Sequence, residues 1–302
     1  EMSASLVGSE MCIRDRGKRG IVDMGEKDMS EKILEDYNDV FSDIVNVLLF
    51  HGQELIEPSA LESISVHSQY KGEDAKLHEQ ERDVAKKWKR YNVQLAIIGI
   101  ENQTAVEKKM PFRLIGYDGA SYKSQLQANA APIAPVVTIV LYFGEKHWCK
   151  ERNIKSLMNI PKELDPYVND YKMEVFEIAW LTDEQIEMFK SDFKVVARFF
   201  VNKRRNPDYV ADDPTEIQHV DEVLKLLSVM TGDRDYENVI CDEMKGQVKS
   251  MCDVAERLKN MGRQEERINA VKFAISLGAS EEKILKQYSK EEYEKALALM
   301  KA

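Results

Sequence analysis

Asp83 and Glu101 lie 18 residues apart (101 − 83). That spacing leaves room for two antiparallel strands and a turn, so the two carboxylates could meet at one end of a sheet. Glu101 closes an apolar run, VQLAIIGIE, and is followed by Asn102 and Gln103. A glutamine can orient a water through its amide, but it carries no charge and cannot act as a base near neutral pH. As bare types, an Asp and a Glu-x-Gln are more often surface charge than chemistry. The weight therefore falls on the elements that would position them.

VQLAIIGIE is apolar on both alternating faces, as is a strand covered on both sides. PVVTIVLYFG, residues 135–144, reads as a second buried strand, and KMEVFEIAW, residues 172–180, as a further one. Upstream, SEKILEDYNDVFSDIVNVLLF carries apolar residues at helical spacing, with Ser30 as N-cap and Gly52 past the end, and predicts a helix of about five turns. LESISVH reads as a short strand and SQYKGEDAKLHEQ as a polar loop. ERDVAKKW reads as a strand with Asp83 and Ala85 on one face. PFRLIGYDGASYKSQLQ has helical spacing despite Gly116 and Gly119. The expected order is helix, three strands, helix, strand, then an added strand, an α/β class.

Beyond these strands the chain reads as helix. TDEQIEMFKSDFKVVARFFVNKRR is expected to be one helix capped by Thr182. NPDYVADDP is the best linker, after which Asp213-Pro opens a helix that Gly232 closes. Met244, Val248, Met251, Ala255 and Leu258 make a short repeat that suggests a helical hairpin or an oligomerisation seam, with packing on its own domain the commoner outcome. The C-terminal segment from Ala270 reads as short helices broken at Gly278 and Ser289.

Composition bounds the function. A 302-residue chain with 43% apolar and 32% charged content is expected to form about two domains. No apolar run approaches the roughly 20 residues that span a bilayer, so neither a membrane nor a secretory leader is expected, and a cytoplasmic location is. Four scattered cysteines suggest neither a disulfide framework nor a thiolate zinc site. His147 and Cys149 lack a second ligand pair. The net charge of −10 argues against a protein that coats nucleic acid over its whole surface but leaves room for a local basic groove. LVGSEMCIRDR, residues 6–16, resembles a translated sequencing-library adaptor, so residues 1–23 are expected to be a non-native or disordered leader, with Met24 or Met29 as the start.

ERDV, then GIENQ, then RLIGYDGASYKSQL, then PVVTIVLYFG resembles the recombination-promoting nuclease (Rpn)/putative transposase family of the PD-(D/E)xK nuclease superfamily, over roughly residues 31–205. The resemblance implies a restriction-endonuclease-like core of helix, three strands, helix and strand, placed here at residues 24–205, with a helical region at 206–302. It implies a DNA endonuclease that hydrolyses phosphodiester bonds with Mg²⁺ or Mn²⁺ and promotes recombination or serves mobile elements; the chain shows no RNase-H-like acidic triad. Asp83 and Glu101 would ligate the metal, with the Asn102 carbonyl a third ligand and Asp39 of the first helix holding a bound water. Gln103 stands where the superfamily usually has Lys, and Arg82 where it has Pro. Arg113 and Tyr117 resemble family positions near the site.

Two basic clusters, Lys86, Lys87, Lys89 and Arg90, and Lys203, Arg204 and Arg205, are candidates for the nucleic-acid backbone, with solvated surface as the commoner explanation. Trp88 is a candidate for stacking on a base or for partial burial. The competing expectations are a non-catalytic nuclease fold that binds DNA or a protein partner, and an oligomer held by the seam near Met251.

Overall fold

In the computed structural model, residues 33–64, 67–71, 77–91, 93–239 and 248–301 are described. The expected leader, Met24, Met29, Ser30 and Met244 lie outside the described residues. Helix α1 spans Asn38–Leu48 and is followed by β1 (Leu61–Ser63), β2 (His67–Lys71), β3 (Leu77–Glu81), β4 (Val84–Arg90) and β5 (Val93–Gln103). Then come α2 (Met110–Gln127), β6 (Val136–Tyr142) and β7 (Glu174–Glu177). The rest is helical: α3 (Asp183–Met188), α4 (Phe193–Arg205), α5 (Val220–Thr231), α6 (Asp235–Asn238), α7 (Met251–Ser276), α8 (Glu281–Ile284) and α9 (Lys290–Lys301).

One five-stranded sheet has the order β1-β4-β5-β6-β7. Strands β1, β4 and β5 pair antiparallel, and β5, β6 and β7 pair parallel. The strand apolar on both alternating faces is therefore the central one, and helices cover it on both sides. Ala96, Ile98 and Ile100 join Phe41 and Ile44 of α1, and Phe193 of α4, in the larger cluster. Leu224 and Leu227 of α5, with Met251 and Val254 of α7, belong to the same cluster. On the other face, Met110, Leu114 and Tyr117 of α2 pack with Val140, Tyr142 and Trp148. Each fully buried aliphatic or aromatic side chain here contributes about 1.5–3 kcal/mol.

The first helix is shorter than its periodicity predicts. Tyr37 is extended (φ −74°, ψ 130°) and separates a 3-10 turn at Leu34–Asp36 from the 11-residue α1. Tertiary contacts hold the break: Tyr37 Oη donates to Glu222 at 2.7 Å and its ring stacks on His219 at 3.6 Å. The expected polar loop holds a two-stranded ribbon, β2 with β3. Its polar sequence carried no alternating apolar signal. The helix expected from Thr182 is two helices, although Thr182 and Gln185 do form the capping box. Between them, Asp43 accepts the backbone N–H groups of Lys190 and Ser191, which draws that backbone out of a helical ladder. Helix α5 begins at Val220 rather than near Asp213, because Asp192 accepts from the N–H groups of Gln218 and His219 just ahead of it. Gly232 ends α5 at φ +76°, as expected. The C-terminal breaks fall at Gly278 and ahead of α9, but α7 is one 26-residue helix.

Lys86 ties the 3-10 turn to the sheet. It is fully buried, and its Nζ donates to the Asp36 carbonyl at 2.8 Å and to Ser63 Oγ at 2.9 Å, above the Phe41 ring. Lys86→Ala should lower unfolding free energy by about 2–4 kcal/mol, from the cavity and the stranded acceptors together. Urea melts of the two proteins measure this, and a loss below about 0.5 kcal/mol would show that the tie is dispensable.

Candidate active site

The polar end of β5 is built by backbone alternation. The Ile97 N–H donates to the Pro135 carbonyl and the Gln103 carbonyl accepts from the Phe143 N–H, each at 2.9 Å. Odd-numbered backbone groups of β5 thus face β6, and those of Asn102 face the opposite neighbour. On that side β4 has already ended. Val84 pairs with Ile100, so Asp83 sits one step beyond, opposite Glu101. The Asn102 N–H donates to Asp83 Oδ2 at 2.7 Å, and the Asn102 carbonyl points to the same side.

Side chains alternate likewise. Glu101 lies on the α2 face and is 1% exposed. Arg113 Nη2 donates to Glu101 Oε1 at 2.5 Å and to Tyr117 Oη at 3.1 Å, and Gln103 Nε2 is 3.4 Å from Glu101 Oε1. Asn102 points to the α1 face, where its Nδ2 donates to Glu35 Oε1 at 3.0 Å. Glu35, in the 3-10 turn, is fully buried. Glu35 Oε2, Glu101 Oε2 and Asn102 Oδ1 are buried without a hydrogen-bond partner. Burial, then the neighbouring Asp83 charge, pushes the Glu101 carboxyl up to about 7 against the pull of Arg113. Burial likewise pushes Glu35 up to about 7, with Asn102 opposing and Asp83 adding to the rise.

Asp83, Glu101, Asn102, Gln103, Arg113 and Tyr117 are thus brought together. Glu35 joins them although sequence reasoning missed it: a continuous helix through Tyr37 would have put it in a different phase from the one the extended Tyr37 allows. Asp39 is elsewhere, with its Oδ2 3.4 Å from His219 Nε2 and its side chain 46% exposed. The basic cluster on β4 is split. Lys86, a candidate for the nucleic-acid backbone, is corrected to a structural lysine because it has no solvent exposure. Lys89 pairs with Glu62, Arg90 is exposed, and Lys87 lines a cleft under α2. In the second cluster, Lys203 donates to the Pro207 carbonyl, Arg204 lies over the Trp180 ring at 3.8 Å and Arg205 pairs with Asp183. Trp88 is partly buried against the core.

Asp83 is held from its neighbour. Arg82 has a side chain 3% exposed, its Nη2 lies 3.3 Å from Asp118 Oδ1, and its guanidinium crosses β5 at Gly99. A Cβ on Gly99 would lie 2.5 Å from Arg82 Cδ, so glycine is what lets the arginine lie flat on the strand. Asp118 is fixed in turn by Thr138 Oγ1 at 2.6 Å and Tyr171 Oη at 2.7 Å. This buried network fixes Arg82 and, through it, the backbone at the Asp83 bend.

Among the described residues, no group of three His, Cys, Asp or Glu side chains is gathered closely enough to hold a metal ion. The oxygens present still fit Mg²⁺ or Mn²⁺. Such an ion needs only one or two carboxylates beside waters and substrate oxygens, and the unpartnered Glu101 Oε2, the Asp83 carboxylate and the Asn102 backbone carbonyl are hard oxygen donors.

The family model described as "Putative transposase, YhgA-like" matches residues 74–227. No curated protein and no solved structure matches the chain.

Two outcomes follow from this geometry. Gly99→Ala should destabilise the fold by about 1–3 kcal/mol in urea by displacing Arg82, and an unchanged midpoint would show that Arg82 moves freely. Glu35 and Glu101 hold protons more tightly folded than unfolded, so without metal the stability they affect should fall as pH rises from 4.5 to about 7. Thermal melts in EDTA at pH 5 and pH 8 check the sign, and Mn²⁺ should restore part of the loss at pH 8.

Proposed function

The chain belongs to the Putative transposase, YhgA-like family, and on that premise we propose that it is a metal-dependent DNA endonuclease that hydrolyses phosphodiester bonds and serves recombination. The observation that carries this reading is the convergence of Asp83, Glu101 and the Asn102 backbone at the end of a buried central strand, with Glu101 Oε2 left unpartnered. Burying a carboxylate with an unsatisfied oxygen costs several kcal/mol, which a purely structural site would avoid by substitution.

Asp83, Glu101 and the Asn102 carbonyl would hold the cation. When bound, Mg²⁺ or Mn²⁺ supplies positive charge to the scissile phosphate and acidifies water. Arg113 answers the missing lysine: its guanidinium sits on Glu101 and keeps 40% of its side chain exposed, so a phosphate can reach it. Gln103 shares the Glu101 face and orients water through its amide. Glu35, with its carboxyl near 7, holds Asn102 in place and is able to exchange a proton close to neutral pH. Tyr117 fixes Arg113 from the next turn of α2.

Nicking of supercoiled plasmid in Mg²⁺, Mn²⁺ or EDTA tests the proposal. Asp83→Asn and Glu101→Gln should each lose more than about 100-fold, beyond the usual cost of an outer-shell group. Asp39→Ala should stay within about twofold of wild type. Folded wild-type protein that nicks under no metal would sink the enzyme reading in favour of a nuclease fold used as a binding scaffold.

A further inference from the structure

A cleft of about 500 Å³ runs between α2 and the β4–β5 face of the sheet, leading away from Glu101. Its two ends carry different unmet needs. At one end Arg82 lines the wall, nearly fully buried, and its Nε and Nη1 have no hydrogen-bond partner. Ser121 lies beside it, 3.5 Å from Arg82 Nη2. At the other end Gln94 lines the wall with Lys87, and Gln94 Nε2 is buried without a partner.

Gln94 is there because the strand is irregular. The pairing of β4 with β5 shifts between Trp88 and Lys89, so that Trp88 opposes Ala96 while Lys89 opposes Gln94. This bulge turns Gln94 onto the face of Ala85, Lys87 and Ile97, where a regular strand would have kept it on the face of Ala96. Bulges of this kind re-aim side chains, and this one aims an amide donor into a cavity.

Gln94 and Gly99, over which Arg82 lies, are five residues apart, or about 16 Å of strand. One small anion cannot satisfy both ends. Arg82 already pairs with Asp118, so its two free donors call for acceptor oxygens. An occupant with an oxyanion there, a neutral acceptor at Gln94 and a body that fits against Ile97, Tyr117 and Ala120 meets both needs. Pockets of this volume take small organic molecules. We propose that this cleft binds a nucleoside monophosphate, its phosphate at Arg82 and Ser121 and a base carbonyl at Gln94. The nucleotide is either free or the terminal residue of a nucleic-acid strand, since both present the same groups.

The site is separate from metal binding, so its test runs in EDTA. Isothermal titration of the full chain with dTMP should give saturable 1:1 binding. Gln94→Leu should weaken it about fivefold, the loss of one hydrogen bond. Ala120→Leu, which fills the cleft from α2 without touching any polar group, should abolish it while leaving the thermal midpoint unchanged. Inorganic phosphate should bind at least tenfold more weakly than dTMP. A 5′-phosphorylated oligonucleotide that competes with dTMP, where its 5′-hydroxyl form does not, identifies a strand end as the ligand; no competition by either identifies the free nucleotide. Absence of saturable dTMP binding by wild type at 10 mM, or equal binding by wild type and Ala120→Leu, overturns the proposal.

Discussion

The burial of Glu101 is the constraint on which the surrounding structure depends. A carboxylate at 1% exposure on a strand paired on both sides has no water to solvate it. Everything near it answers that cost. Arg113 comes from α2 to meet one oxygen, Asp83 arrives from the end of β4 with its charge on the exposed side, and Arg82 is pressed flat over Gly99. The sheet stops β4 one residue short of Glu101, and that early ending opens the space in which Asp83 and the Asn102 backbone face each other.

The same constraint explains why two faces of one sheet differ so much in character. The α1 face is mostly apolar and continuous, drawing on α1, α4, α5 and the start of α7, with Lys86 and the Glu35–Asn102 pair held within it. The α2 face mixes an apolar cluster with a buried polar network centred on Asp118, which receives hydrogen bonds from Thr138 and Tyr171 and pairs with Arg82. A network of this kind is costly unless fully satisfied. Two nitrogens of Arg82 remain unmet, and the residue lines a cleft on that face.

Buried strands were legible in the sequence because they are apolar on both alternating faces, and β5 and β6 lie where that pattern put them. Alternation located β7, which is shorter than the segment read because a 3-10 turn follows at Ile178–Trp180. Spacing left room for Asp83 to meet Glu101, and the family resemblance added Asn102, Gln103 and Arg113, all of which the structure places beside them. What stayed hidden depended on tertiary competition. Asp43 and Asp192 take backbone N–H groups that a local reading assigns to helix, and Tyr37 leaves the helix for Glu222 and His219. That last break buries Glu35 against Asn102 and leaves Asp39, to which the resemblance pointed, beside His219. Lys86 and Lys87 read as one basic cluster, yet successive residues of a strand face opposite ways, and Lys86 went into the core.

The outer strands of the sheet have a consequence for how the protein meets other chains. β1 has three residues and β7 has four, against eleven in the central β5. An open edge is a template for another backbone, and a short edge offers too few rungs to hold one. Growth of the sheet by strand addition is thereby suppressed from both sides. The apolar middle strand lies two places in from either edge, behind β4 on one side and β6 on the other, so a partner approaching this sheet meets side chains before it meets a usable backbone ladder.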